Sequence, residues 1–129
     1  MDTGKRRELI ERIKVLGLPS PDRPLPLVTL EEFFIGNDDY GSIGCNWAQS
    51  PGPQFFFEKL KQIRSKSNVQ DVLVEVTEVE ENDDELGPYS NTVYVYADAT
   101  LEEIAEWAVD LQPDVVEEHS FRCYYLCWD

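Results

Sequence analysis

The stretch QDVLVEVTEV, residues 70–79, decides the fold. Its valines alternate with polar residues, which is typical of a strand with one buried face. The run NTVYVYA, residues 91–97, repeats the alternation and opposes its valines to Tyr94 and Tyr96. Between them lies EENDDELGPYS, residues 80–90, whose acids and turn-forming residues indicate a solvated hairpin tip. The sequence therefore predicts two antiparallel strands joined by an acidic loop.

Helices are predicted on both sides of this strand pair. SPGPQFFFEKLKQIRSK, residues 50–66, carries an apolar stripe at helical spacing and begins near Pro53, a residue suited to the first helical position. In the second helix, residues 101–111, Thr100 and Glu103 form a capping box. Each helix therefore has a start signal in addition to its periodicity.

Two outer segments complete the expected order. LVTLEEFFI, residues 27–35, and the β-branched and aromatic tail VVEEHSFRCYYLCW, residues 115–128, are both predicted as strands. The resulting order is β-α-β-β-α-β, which indicates an α+β protein with the ferredoxin-like split sandwich topology. By analogy with that topology, residues 27–35 and 91–97 form the two central strands, and both helices cover one face.

The N-terminal residues are predicted to stand apart. Residues 4–16 have helical spacing, and Gly17 offers a left-handed stop. The proline-rich connector PSPDRPLP follows at 19–26. We therefore expect an extra N-terminal helix and connector over 1–26 and a single α+β domain over 27–129.

The charge is strongly negative and unevenly placed. The formal net charge is −15. Residues 1–66 carry ten basic and nine acidic side chains, a net of +1, whereas residues 67–129 carry one basic and seventeen acidic side chains, a net of −16. Such a half repels nucleic-acid phosphates and anionic membranes, and it favours a basic protein partner.

Cysteine usage and hydropathy indicate the compartment. The three cysteines are an odd number, and the N-terminal residues lack the uninterrupted apolar core of a secretory leader. We find no stretch with the length of a transmembrane helix. We therefore expect a reduced, cytoplasmic protein.

The glycine-rich stretch IGNDDYGSIGCNW, residues 35–47, is the first candidate site. It lacks the glycine pattern of nucleotide-binding fingerprints and the Lys of a P-loop. A ligand loop here would use six polar side chains: Asn37, Asp38, Asp39, Ser42, Cys45 and Asn46. The alternative is a tight, glycine-permitted turn with an Asx cap, which is the commoner use of these residue types.

Metal and catalytic chemistry find little support in the sequence. His119, Cys123 and Cys127 are spaced four apart, and along a strand this spacing spreads them over about 26 Å, too far for one zinc ion. Cys45 as a nucleophile would need a base nearby, and His119 is the only histidine. We therefore assign no catalytic residue, metal or cofactor, and favour a non-enzymatic protein.

The outer face of the predicted sheet is the second candidate site. It would show Glu75, Tyr94 and Tyr96, an aromatic face like that on which RNA-recognition domains stack bases. Carboxylates stand where such domains need basic residues, so RNA binding is disfavoured. Tyrosine and tryptophan are typical anchors of protein interfaces. The predicted partner-binding residues are Glu75, Tyr94, Tyr96, Trp107 and Trp128.

Two functions follow as alternatives. The first is an acidic protein-binding module, in one version an inhibitor or immunity-type protein that neutralises a basic enzyme. The second is a small ligand-binding domain or enzyme centred on loop 36–47. Either protein is expected to be a monomer or a homodimer, because an open aromatic face allows pairing while the negative charge opposes it.

Overall fold

A computed structural model of the chain describes residues 2–20, 22, 24–45, 47, 49–79 and 88–128. The helices are α1 (Thr3–Leu16), α2 (Leu30–Phe34), α3 (Pro53–Arg64) and α4 (Leu101–Trp107), the last followed by a 3₁₀ turn at Val109–Leu111. The strands are β1 (Leu27–Thr29), β2 (Val69–Glu75), β3 (Thr92–Ala97), β4 (Val115–Ser120) and β5 (Cys123–Cys127). They form one sheet in the order β1-β2-β3-β5-β4 with every neighbouring pair antiparallel. The α+β class is confirmed.

The predicted pair of alternating strands lies at the centre of this sheet. Val72 of β2 is opposite Val95 of β3, and Val74 is opposite Val93. All four valines are fully buried, so the alternation marks the buried face correctly. The predicted loop at 80–90 lies largely outside the described residues.

The hydrophobic core lies between that valine face and the helices. Each helix contributes large side chains that are almost fully buried, and the C-terminal residues of the described chain add Leu126 and Trp128. Phe56 of α3 meets Trp128 edge to face, with ring centroids 5.3 Å apart. The helices therefore cover one face of the sheet, and no helix of the described residues covers the other face.

The predicted strand at 27–35 is wrong beyond its first three residues. The side chain of Thr29 accepts a hydrogen bond from the backbone N–H of Glu32, and the Glu32 carboxylate accepts from the N–H of Thr29, which completes a capping box. Helix α2 begins there and buries Phe33 and Phe34. Short β1 is an edge strand paired only with β2, so the ferredoxin-like topology, which needs it at the centre, is not confirmed.

The tail forms two strands instead of the single predicted strand. Strands β4 and β5 form an antiparallel hairpin, and β5 also pairs with β3. The hairpin turns at Phe121 and Arg122, and Arg122 takes a left-handed backbone conformation with φ of 57°. The sheet consequently has five strands, one more than the split sandwich provides.

Helix α1 packs onto the same core as the rest of the chain. The carboxylate of Asp2 caps it by accepting from the N–H of Lys5 at 2.9 Å, and Gly17 ends it at φ of 106°. Leu9 and Ile13 belong to the central hydrophobic cluster. The N–H of Asp2 also donates to the carbonyl of Gly36, which connects the start of α1 to the turn that follows α2.

Candidate functional site

Strand alternation places a set of half-buried side chains on the face of the sheet turned away from the helices. Leu73 and Tyr94 are directly opposite each other, and Tyr94 is also opposite Tyr125 of β5. The predicted facing of Glu75, Tyr94 and Tyr96 is confirmed. We call the following set the open face: Leu73, Glu75, Tyr94, Tyr96, His119 and Tyr125.

His119 lies on the open face, two residues after Glu117 of β4, at a bulge in that strand. Glu118 is opposite Tyr124, but Ser120 is opposite Cys123, so His119 is the extra residue in β4. Its ring lies edge-on to Tyr94, with centroids 5.3 Å apart, and 6.4 Å from the ring of Tyr125. The imidazole of His119 therefore packs beside the tyrosine rings of the open face.

A concavity of about 390 Å³ lies between the open face and the end of the proline-rich connector. Its apolar wall comes from the connector and the start of β1, and its floor from β2 and β3 with His119 at one side. The lining residues are Pro24, Leu25, Leu27, Glu75, Tyr94, Tyr96 and His119. This concavity joins one carboxylate to two aromatic rings and an apolar wall.

Burial raises the pKa of both Glu75 and Tyr94. Desolvation raises the pKa of Glu75, and this effect is opposed by a hydrogen bond from Tyr94 and by the charge of His119. Desolvation, followed by the charge of Glu75 and the same hydrogen bond, raises the pKa of Tyr94 to about 12. Tyr94 therefore stays protonated at neutral pH and donates to a carboxylate held in a partly dehydrated place.

Tyr96 and Cys123 form a second contact on this side of the sheet. The two residues are directly opposite across β3 and β5, and each is a hydrogen-bond partner of the other's side chain. Burial raises the pKa of the Cys123 thiol. The protonated thiol is a weak nucleophile, so this cysteine serves packing.

Two predicted partner-binding residues lie away from the open face. Trp128 is only 3% exposed, and its indole N–H donates to the carbonyl of Leu111 at 2.7 Å. The prediction of Trp128 as a surface anchor is wrong, because its ring fills the core. Trp107 of α4 packs against that core from the helical side, and the ammonium of Lys66 lies 5.0 Å from its ring centroid.

The glycine-rich loop is built around two buried polar side chains. Asn37 is 1% exposed, donates from Nδ2 to the carbonyl of Phe33 and to Oγ of Ser42, and accepts from the N–H of Asp39. Oγ of Ser42 donates to the carbonyl of Asp39 at 2.7 Å. The side chain of Gln54 donates to the carbonyl of Asn37 at 2.8 Å. These contacts are those of an Asx-capped turn, and they direct Asn37 and Ser42 inward.

A further predicted polar residue of this loop, Asp39, also makes a local contact. Asp39 uses its carboxylate to accept from the N–H of Gly41 at 2.9 Å, which is again a turn contact. Asp38 and Cys45 are exposed, and Asn46 lies outside the described residues. The main chain of the loop is hydrogen-bonded to the segment just before β3, since the N–H of Ser90 donates to the carbonyl of Ser42 at 2.7 Å.

Metal-binding geometry is not found where the structure describes the chain. No group of three or more His, Cys, Asp or Glu side chains there is arranged to hold a metal ion. Cys123 and Cys127 lie along one strand as predicted, and none of the three cysteines forms a disulfide bond. The helices in the described ranges are also too short or too polar to cross a bilayer.

Sequence reasoning missed part of this surface. The connector residues Pro24 and Leu25, together with Tyr125, were not expected beside the tyrosines of β3. Tyr125 could have been found from the alternation of Cys123, Tyr125 and Cys127, had the tail been divided into two strands. The contribution of the connector has no sequence signal, because it depends on how the segment before β1 crosses the sheet.

Comparison with known proteins gives the chain a family. Residues 4–126 match the model of the family described as "Uncharacterized protein YfbO family". The chain is 41% identical over 96 residues to "Uncharacterized protein YfbO" of Escherichia coli strain K12, covering 74% of this chain and 66% of that protein, just under two thirds of its length. No solved structure matches the chain. Because the family model spans nearly every described element, this chain belongs to the Uncharacterized protein YfbO family.

Proposed function

We propose that this chain is an acidic protein-binding module that engages a basic protein through the open face. The observation that carries the proposal is the uncovered sheet surface on which Glu75, Tyr94 and Tyr96 surround one concavity. Tyrosines that are rigid and partly buried are typical interface anchors, because they offer a large contact area and lose little side-chain entropy on binding.

The distribution of charge supports a basic partner. Two carboxylates of β4 are exposed: Glu117, which is opposite Tyr125 on the open face, and Glu118, which lies on the other side of the strand. Helix α4 adds the exposed residues Glu102, Glu103 and Glu106. A negative surface of this extent accelerates encounter with a positive surface and gives a rate that falls as salt is added.

A narrower form of the proposal is an inhibitor or immunity-type role. A protein that must neutralise a basic enzyme quickly gains from electrostatic steering, and the net charge of −15 supports such a role. None of the three cysteines forms a disulfide bond, which supports a reducing compartment, and we propose that the protein acts in the cytoplasm. In this form nucleic acid and membrane are not targets, since both are anionic.

The proposal is tested by capturing partners on the tagged chain from a lysate of its own host. Beads carrying the wild-type chain, the Tyr96→Ala variant and the Tyr40→Ala variant are washed at low and then at high salt. Tyr40 is 61% exposed and its ring lies against Gly52 at the start of α3, so it is a matched tyrosine away from the open face.

We expect the wild-type and Tyr40→Ala beads to retain the same basic protein and to release it at high salt. The Tyr96→Ala beads should retain much less of it. Retention of that protein by all three baits, or release that does not depend on salt, would contradict the proposed face. Circular dichroism of each bait confirms that it is folded.

A further inference from the structure

We propose that the concavity beside the open face receives an arginine side chain of the basic partner. This inference rests on the proposed function and names the chemistry of the contact at its centre. Glu75 would accept hydrogen bonds from the guanidinium, and the rings of Tyr94 and Tyr96 would lie beside its plane. The apolar wall would cover the aliphatic stem.

The lining residues fit a cation better than an anion or a purely apolar group. Glu75 is the carboxylate among the described lining residues, and no Lys or Arg occurs in the described part of that lining. Tyrosine rings attract cations to their faces, most strongly where water is partly excluded. Pro24, Leu25 and Leu27 supply an apolar surface of the kind along which long basic side chains lay their methylene groups.

The state of Glu75 supports an incoming cation. Its carboxylate has lost part of its hydration, and this raises its pKa while Tyr94 supplies only one hydrogen bond. A guanidinium brings several donors in one plane, so it can satisfy the carboxylate without displacing the Tyr94 hydroxyl. An ammonium is a more strongly hydrated point charge and stacks less well on a ring, so we assign arginine and not lysine.

His119 sets a limit on this contact. The imidazole lies beside Tyr94, and its charged form is felt at Glu75. A protonated His119 would oppose a second cation in the same concavity. Replacement by glutamine removes that positive charge and keeps a polar side chain, so His119→Gln should strengthen arginine binding.

The test uses defined probes and the full chain. Nitrogen-15 NMR spectra of the protein are titrated with N-acetyl-arginine methylamide, with the lysine analogue, and with N-acetyl-citrulline methylamide, which has the shape of arginine without its charge. We expect saturable shifts for the amides of Leu25, Leu27, Glu75, Tyr94 and Tyr96 with arginine. Citrulline should bind about fivefold more weakly or worse, because charge-assisted hydrogen bonds are lost.

Two variants test whether the charge of Glu75 causes the preference for arginine over citrulline. Glu75→Gln removes the charge and keeps a hydrogen-bond acceptor for Tyr94, so it should abolish the preference for arginine over citrulline. Glu118→Gln removes an equal charge from the exposed opposite side of β4 and should keep the preference. Equal shifts with arginine and citrulline, a preference for lysine, or a preference that survives Glu75→Gln would overturn the arginine assignment. Continued salt-dependent capture of a basic protein alongside such a result would leave the proposed function standing.

Discussion

Tyr94 of β3 and Glu75 of β2 are diagonal neighbours on the open face, and the tyrosine hydroxyl is hydrogen-bonded to the carboxylate. Each group changes the ionisation of the other. The negative charge of Glu75 and the shared hydrogen bond add to the effect of burial and raise the pKa of Tyr94 to about 12. The proton therefore stays on the phenol at neutral pH, and the hydroxyl donates to the side chain of Glu75.

The ionisation of Tyr94 should respond to its partner. In Glu75→Gln the charge is gone, so we expect the pKa of Tyr94 to fall from about 12 while remaining above its ordinary value of 10.0, because desolvation is the largest cause of the shift. The measurement is a pH titration of tyrosine ring-carbon chemical shifts by NMR. A titration that is identical in wild type and variant would show that the two groups are not coupled, and Glu118→Gln serves as the control.

The raised pKa of Tyr94 should make the free energy of unfolding decrease at alkaline pH. A phenol whose pKa is raised on folding contributes stability that is fully present below pH 10, and the contribution is lost as pH rises through about 12. We expect Tyr94→Phe to lose part of this steep alkaline decline in the free energy of unfolding. Denaturant titrations of wild type and Tyr94→Phe, at several pH values from neutral to alkaline, measure the free energy of unfolding. An unchanged slope would contradict the raised pKa.

Gly44 should tolerate no side chain. It has φ of +64°, and a Cβ there would lie 2.8 Å from Cζ of Phe56 in the core. We expect Gly44→Ala to lower the free energy of unfolding by about 2–4 kcal/mol, because left-handed strain and core overpacking add. Gly41 is the matched control, since a Cβ there would meet only the Asp39 carboxylate at 3.4 Å. Equal denaturation midpoints for the two variants would contradict the packing described for the loop.

Asn37 should be needed for stability. Removal of its side chain leaves the Phe33 carbonyl, the Ser42 hydroxyl and the Asp39 N–H without that partner inside a buried turn. We expect Asn37→Ala to cost about 2–3 kcal/mol, as a buried polar group deprived of its partners is expensive. Gln49→Ala, at an exposed position of the same loop, is the control. A stable Asn37→Ala variant that loses partner binding would instead indicate a ligand site.

The ion pair between Arg64 of α3 and Glu31 of α2 should give a pH-dependent coupling. Nη1 of Arg64 donates to Oε1 of Glu31 at 2.7 Å, and the second nitrogen donates to Oε2. This hydrogen bonding is the main cause that lowers the pKa of Glu31. The stabilisation is therefore present above the ordinary glutamate pKa and is lost as pH falls through the lowered value.

A double-mutant cycle with Glu31→Gln and Arg64→Met measures that coupling. We expect roughly 0.5–1 kcal/mol at neutral pH, since both side chains are partly exposed and solvent screens them, and a value near zero in strong acid. Coupling that does not change with pH would mean that packing and not charge joins the two helices.

Strands β2 and β3 were predictable because every second residue from 72 to 76 and from 93 to 95 is valine, and that period belongs to a half-buried strand. The helix at Thr100 was found from its capping box. The same signature at Thr29 and Glu32 was overlooked because the preceding Leu27 and Val28 favour a strand. The strand preference of Leu27 and Val28 and the capping box therefore indicate different structures for this segment. The helix forms because it buries Phe33 and Phe34.

The sheet order was not predictable from local pattern. The turn at Phe121 and Arg122 lacks the glycine, asparagine or proline that usually marks a hairpin, so the tail appeared to be one strand. The three candidate residues of the open face that lie on β2 and β3 followed from alternation alone. Trp128 was misplaced because its burial depends on Phe56 and Leu111, which are distant in sequence.

Calorimetric titration of the salt-released basic protein into this chain is the most direct test of the open face as a binding surface. Wild type, the Tyr94→Ala/Tyr96→Ala double variant and Tyr40→Ala are compared from about 50 to about 500 mM salt, a range over which screening changes strongly. We expect wild type and Tyr40→Ala to share an affinity that falls with salt, and the double variant to lose at least about tenfold, as interface anchors do. Affinity that is equal in all three proteins, or independent of salt, would contradict both the surface and the charge complementarity proposed for it.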